Sequence, residues 1–361
     1  MNIKTTKDNL SRAIASASRA IPQKATIPIM ENFLLKGEDG FLSVTATDGD
    51  TVIVAFCEAE ADGAACINAK TLSDIVRLLP DGDVTITTEG KQATIYWPSG
   101  RSSVPAYDTA DFPDVNFKDA PESIIKLNAG TFADAMAHVL PHVASDILRP
   151  QLTGVHFNPT EKGFDVVASD SHTICIVPVE AQSPNRAFTV APKGIQAIMG
   201  AIAPDNEISI EVHDGRIYFG SDTVRISSRE IVGKFPAYER IIPTSGESTF
   251  GANIKDFTAS VRRVAVFSNK SSNHIKMDLA PLGCEVSAQD VGFGTTAKEE
   301  LEATYDGQEM AIGFKYDLLL KSVGGLNGDA FQMQLNGSNK AVLITSESDS
   351  CKTVIMPVQI K

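Results

Sequence analysis

The chain has 361 residues, a formal net charge of −13 at pH 7, 43% apolar and 21% charged residues. That is the composition of an ordinary globular protein with room for two or three cores, and no apolar run approaches the roughly 18 residues of a membrane span. Five scattered cysteines without C-x-x-C spacing argue against a disulfide framework or a structural zinc site and for a reducing cytosol; the N-terminus also lacks the apolar core of a signal peptide.

The first predicted element is a helix over 7–20, with Leu10, Ile14, Ala17 and Ile21 forming one apolar stripe. The stretch FLSVTATDGDTVIVAFCEA then reads as two strands around a turn at Asp48-Gly49. A second helix over 70–79 is closed by Pro80-Asp81, and strands with a hairpin signal at Glu89-Gly90 lead to the phrase DFPDV. The whole order then recurs. A helix over 130–143 carries Phe132, Met136 and Val139, VASDSHTICIV supplies the turn, and a helix over 193–203 ends before Pro204-Asp205. Asp214-Gly215 signals the hairpin and KFPAYERIIP closes the copy. The third pass gives a helix over 254–267 with Phe257, Val261 and Val264, and the turn segment SAQDVGFGTTAKEEL. A helix over 314–323 follows, stopped by Gly324-Gly325, with a hairpin signal at Asn336-Gly337.

Asp48, Asp170 and Asp290 are 122 and 120 positions apart, and Lys70, Lys193 and Lys315 are 123 and 122 apart. A period of that size is a whole domain, not a solenoid unit of roughly 20–50 residues. The expected fold class is therefore α+β, three tandem copies of one domain over 1–120, 121–245 and 246–361. Each copy has two helices packed on roughly eight mostly antiparallel strands.

Charge follows the pattern. The six predicted helices hold eleven Lys or Arg against five Asp or Glu, so the acidic excess lies elsewhere. Arg12 and Arg19 lie seven apart, opposite the apolar stripe of the first helix. Solvated helix faces would explain each helix singly; basic helices gathered on one side of acidic sheets would present a positive surface. A catalytic reading finds little. The three aspartates sit where aspartate commonly caps a turn. His138 and His142 have the i, i+4 spacing of a zinc pair, but Pro141 interrupts the helix and no third ligand is evident. No P-loop and no G-x-S-x-G occur, and no cofactor or metal is expected. A scaffold that binds only proteins is the other competing class, and it leaves the basic helices without a purpose.

Taken together, the IPIMENFLL run from Ile27, TATDGD, RPQLTGVHF from Arg149, VASDSHTICI, APKG, KFPAYERIIP and the terminal VIMPVQIK resemble the bacterial sliding clamps, the beta subunits of DNA polymerase III. The resemblance covers the whole chain. It implies DNA-clamp domains, two subunits joined head to tail in a six-domain ring around duplex DNA, and a non-catalytic cytoplasmic processivity factor at the nucleoid. Its partners would be DNA of any sequence, a replicative polymerase, an ATP-dependent clamp loader, and other polymerases and repair proteins bearing short peptide motifs. The candidate DNA contacts are Arg12, Arg19, Lys24, Lys70, Arg77, Arg149, Lys193, Arg262 and Arg263. Lysine and arginine on phosphates give attraction without sequence reading, and no aromatic stripe stacks bases.

The resemblance also implies a peptide groove. From the middle of the chain it would use Leu152, Ser169, His172, Thr173, Ile174 and Pro243; from the end, Leu318, Val354, Ile355, Met356, Pro357 and Val358. Val354 reads equally well as part of a last core strand. The subunit interface would set Val104 and Ala106 against Val266 and Phe267 of the partner, although Val104 also reads as an ordinary buried strand residue. Three departures from the family pattern stand out: Pro150-Gln151 after Arg149, Thr173 for an arginine, and Gly200 for a basic residue.

Overall fold

In a computed structural model describing residues 1–361 except Thr26, Asn116, Lys118, Asp119, Leu282 and Lys361, each third of the chain opens on a strand that runs straight into a helix. The first copy begins with β1 (Asn2–Thr6) and α1 (Lys7–Ala17). Next come β2 (Asn32–Glu38), β3 (Phe41–Thr47), β4 (Thr51–Glu58), β5 (Glu60–Asn68) and α2 (Ala69–Leu78). It ends with β6 (Asp83–Glu89), β7 (Gln92–Trp97) and β8 (Gly100–Tyr107). The second copy holds β9 (Ser123–Asn128), α3 (Ala129–Val139), β10 (Val155–Thr160), β11 (Gly163–Ser169) and β12 (Thr173–Glu180). It continues with β13 (Phe188–Val190), α4 (Pro192–Met199), β14 (Glu207–His213), β15 (Arg216–Gly220) and β16 (Val224–Arg229). The third holds β17 (Ser248–Asn253), α5 (Ile254–Ala265), β18 (His274–Ala280), β19 (Gly283–Asp290), β20 (Thr295–Leu301) and β21 (Ala303–Tyr305). Then follow β22 (Met310–Lys315), α6 (Tyr316–Gly324), β23 (Ala330–Leu335), β24 (Val342–Thr345) and β25 (Lys352–Ile355).

Helix starts follow from local chemistry. Thr6, Asn68, Asn128 and Asn253 each turn a side-chain oxygen onto N–H groups of the first turn of α1, α2, α3 and α5. These caps satisfy donors that have no partner inside the helix. Three ends differ from the expected spans by three residues or more, while α5 ends at Ala265 instead of 267 and α6 starts at Tyr316 instead of 314, after β22. α1 stops at Ala17 and tightens to a 3-10 turn, so Ile21 lies past the helix. α3 stops at Val139 because Pro141 forces a 3-10 turn at Leu140–His142. α4 stops at Met199, not 203, and Gly200 caps it. The apolar faces are buried as the spacing requires: Leu10 and Ile14, Phe132 and Met136, Phe257 and Val261 are at most 4% exposed.

The strands form three sheets. A twelve-stranded sheet runs β1, β6, β7, β8, β5, β2, β3, β4, β16, β15, β14, β9. It joins the first copy to part of the second through antiparallel β4 and β16, with Thr51 opposite Ser228. A nine-stranded sheet runs β13, β10, β11, β12, β25, β24, β23, β17, β21, and joins second to third copy through β12 and β25, with Thr173 opposite Ile355. The remaining sheet is β20, β19, β18, β22. The chain accordingly divides into two compact units, residues 1–133 with 190–231 and residues 134–189 with 232–361. The cut runs through the middle copy.

Candidate nucleic-acid and peptide interfaces

The three repeated aspartates hold turns. Asp48 Oδ1 accepts from the N–H groups of Asp50 and Thr51, Asp170 Oδ1 from those of His172 and Thr173, and Asp290 Oδ1 from those of Gly292 and Phe293. In the first two copies the other carboxylate oxygen is taken by the next copy. Lys193 pairs with Asp48 Oδ2 and donates to the Ala20 carbonyl at 3.4 Å. Lys321 donates to Asp170 Oδ2 at 2.6 Å and to the Pro141 carbonyl at 3.2 Å. Asp290 differs: its Oδ2 accepts from Asn269 of its own copy at 3.1 Å. The lysine at Asp170 is Lys321 on α6, not Lys315, which keeps register with Lys193; spacing alone did not reveal it.

The histidines belong to this framework. Thr173 Oγ1 donates to Asp170 at 2.9 Å and therefore accepts from His142 Nδ1–H at 2.8 Å, which fixes the imidazole tautomer. Burial, with the Lys321 charge adding to it, lowers the His142 pKa to about 3. Burial pushes Asp170 the other way, but Lys321 and the Thr173 and His172 N–H groups outweigh it and hold its pKa below the usual value. His138 faces Asp349 at 3.3 Å. Among the described residues no three His, Cys, Asp or Glu side chains gather as a metal site.

The basic candidates fall into two groups. Arg12, Lys24, Lys70, Arg77, Arg149, Arg262 and Arg263 are exposed. Arg12 lies 3.1 Å from Asp8, Arg77 3.2 Å from Asp74, Arg263 Nε donates to Glu299 at 3.1 Å, and Arg149 donates to Ser171 at 2.8 Å. Surface pairs of this kind are worth little and reopen readily for a phosphate. Lys193 is committed to the junction of the first two copies, and Arg19, itself exposed, reaches the Gly200 carbonyl there at 3.5 Å. Arg19 lies against Gly200, where any side chain would strike its guanidinium, and Lys193 is held by Asp48. α1 packs on α2, and α5 on α6, so the exposed arginines come on paired helices.

The peptide-groove candidates gather in the second unit. Leu152 and Ile174 join Val167, Ile176, Phe235 and Tyr238 in one buried cluster, with Ile242 packed against it. Tyr238 is fixed at its hydroxyl, donating to Asp165 and accepting from Asn158, both at 2.9 Å. Val354 and Ile355 lie in β25 and are 2% and 1% exposed, so they are core strand residues. Ser169 and Thr173 are buried as well, spent on Thr173 carbonyl and Asp170 respectively, and offer no rim. What faces outward is Met356, 41% exposed, and His172, with Leu318, Pro243, Pro357 and Val358 half-buried. The tail is pinned by Met356 N–H to the His172 carbonyl at 3.0 Å and Val358 N–H to the Gly313 carbonyl at 2.8 Å. Phe235, Tyr238 and Ile242, all carried by the motif KFPAYERIIP, pack with the candidates Leu152 and Ile174 and were not among the residues expected there.

The interface candidates are unlike one another. Val104 and Ala106 are 7% and 6% exposed within their own copy, and their side chains belong to its core. Val266 and Phe267, just past the end of α5, are 76% and 40% exposed.

Three copies of one α+β domain, with exposed arginines on the paired helices of the first and third, define a DNA-clamp fold. Residues 1–116 match the N-terminal domain, 126–237 the central domain and 239–359 the C-terminal domain of the DNA polymerase III beta subunit. The chain belongs to that family, the bacterial DNA sliding clamps, which hold a polymerase on its template and catalyse nothing themselves. It is 28% identical over 378 residues to the beta sliding clamp of Synechococcus elongatus and 25% identical over 368 residues to that of Escherichia coli, with all of each chain covered. The solved sliding clamp of Pseudomonas aeruginosa bound to griselimycin superposes with a TM-score of 0.95 at 23% identity over all of both chains. The Bacillus subtilis clamp gives 0.94 at 20%, again over all of both chains.

Proposed function

We propose that this clamp works through two separate surfaces, exposed basic helices that attend duplex DNA and an apolar groove that receives partner peptides. Two copies close head to tail into a ring of six domains, so that retention on DNA is topological and needs no tight contact. The observation that carries this reading is the threefold repeat, each copy bringing two helices to one chain, with lysine and arginine in excess on those of the first and third copies. Domain boundaries near residues 120 and 245 belong to the same reading. Arg12, Lys24, Lys70, Arg77, Arg149, Arg262 and Arg263 meet phosphates, while Arg19 and Lys193 serve mainly to join copies. The acidic remainder of the surface repels DNA and discourages docking elsewhere.

Met356, Pro357, Val358, Leu318, Pro243 and His172 form the rim of the groove over a floor of Leu152 and Ile174. The users are the replicative polymerase, the clamp loader and repair proteins, which exchange on it at the nucleoid. Val266 and Phe267 face the first domain of the second copy. Protein loaded on a nicked circle should stay bound and slide off once the circle is linearised. Direct binding without loading should be weak and fall with salt. Equal retention on circles and on linear DNA with free ends would overturn the topological reading.

A further inference from the structure

We infer that the contact between two copies is closed by an apolar clasp, Val291 and Phe293 of one copy against Pro105 of the other. The two junctions inside the chain close instead with a hydrogen bond and an ion pair. The inference rests on the reading that the third domain meets the first domain of a second copy.

The two internal junctions are built alike. β4 receives β16 with Thr51 opposite Ser228, and β12 receives β25 with Thr173 opposite Ile355. In both, the residue before the threonine offers its carbonyl to the next N–H of the incoming strand: Arg229 to Asp50 at 2.9 Å, Met356 to His172 at 3.0 Å. In both, the turn aspartate takes a lysine of the next copy.

The third copy and the first each hold half of such a junction. β20 begins at Thr295, the threonine that ends the equivalent turn, and among the described residues it pairs only with β19. β8 follows β7 as β16 follows β15, with Val104 opposite Ala93 where Ser228 is opposite Ile217. Val104 is thus the counterpart of Ser228 and of Ile355, and the position that would donate to the turn carbonyl is 105. That residue is proline and has no N–H to give. Asp290, for its part, is already satisfied by Asn269.

Both latches are therefore missing, and something stands in their place. The turn is two residues longer than the other two, D-V-G-F-G-T against D-G-D-T and D-S-H-T. Val291 and Phe293 project from it, 83% and 81% exposed, and Pro105 is exposed on β8. An apolar turn opposite an exposed proline ring is a matched pair that needs neither the hydrogen bond nor the charge. A second copy is the occupant because the chain itself supplies both halves, one at each end, in the register that its own two junctions use.

The full-length protein in a sedimentation dilution series tests this. Ser at both Val291 and Phe293 should raise the dimer dissociation constant roughly tenfold or more, from lost apolar burial. Phe293→Ser and Pro105→Gly should be non-additive in a double-mutant cycle. These side chains are exposed in the single chain, so the variants should fold, and circular dichroism checks that they do. Wild-type dimerisation of the Val291→Ser, Phe293→Ser variant would overturn the clasp. Phe267→Asp separates the two ideas: if it gives monomers while that variant stays dimeric, only the clasp fails. If neither variant weakens the dimer, the interface reading itself fails.

Discussion

Asp170 and Lys321 are 17% and 20% exposed, so neither charge can turn fully to water if its partner is removed. Lys321→Met should destabilise the protein by about 1–3 kcal/mol in urea titrations, because the carboxylate is left with too few donors. An unchanged midpoint would show the pair to be neutral to stability. Lys193→Met, at a lysine 36% exposed, should cost less. His142 makes stability depend on pH with a definite sign. Its folded pKa of about 3 lies below its ordinary 6.5, so between those values the unfolded chain binds more protons than the native protein. The contribution is complete above 6.5 and is lost as pH falls through the window. His156, lowered by burial to about 4, acts in the same direction. The lowered pKa of Asp170 acts further down, its contribution present above 3.8 and lost below it. Denaturant titrations at pH 7 and pH 4.5 should therefore differ less in His142→Asn, whose amide can still donate to Thr173; an unchanged difference would rule out His142 as the source.

At the scale of elements, removing residues 356–361 takes Met356, Pro357 and Val358 from the proposed groove rim and leaves β25 paired on both sides. The fold and the dimer should persist. Calorimetry should show roughly micromolar binding of a Gln-, Leu- and Phe-bearing peptide to the intact clamp, the scale expected from two buried apolar anchors less ordering costs, and its loss in the truncation. Undiminished affinity in the folded truncation would place the partner site elsewhere. The six helices and the three turns were readable in the sequence because period and turn chemistry are local signals. α4 was read too long because the apolar run Ala201-Ile202-Ala203 carries the helical pattern past Gly200, the glycine that caps it. The lysine at Asp170 was not legible because Lys321 is 151 positions away and meets the carboxylate only in the fold. Of the groove candidates, Met356 is exposed and Pro357 half-buried, whereas Ser169 and Thr173 are spent on the turn. An alternating strand pattern tells which residues share a face, not which neighbour covers that face.

For the molecule as a whole, the boundaries of the repeats and the boundaries of the sheets do not coincide, and the mismatch has a consequence. The sequence divides into three, but its middle third contributes β9 and β14 to β16 to one sheet and β10 to β13 to another. Hydrogen-bonded ladders run unbroken from first copy to second and from second to third, so a boundary in the sequence is not a boundary in cooperativity. Sub-global opening should follow the sheets. Native-state amide exchange should sort the slow amides into two groups: β14 to β16 should open with β3 and β4, and β11 and β12 with β24 and β25. Three groups, one per repeat, would contradict this. Excised by itself, the middle repeat would expose two long strand edges at once, and it should aggregate where the intact chain stays dispersed.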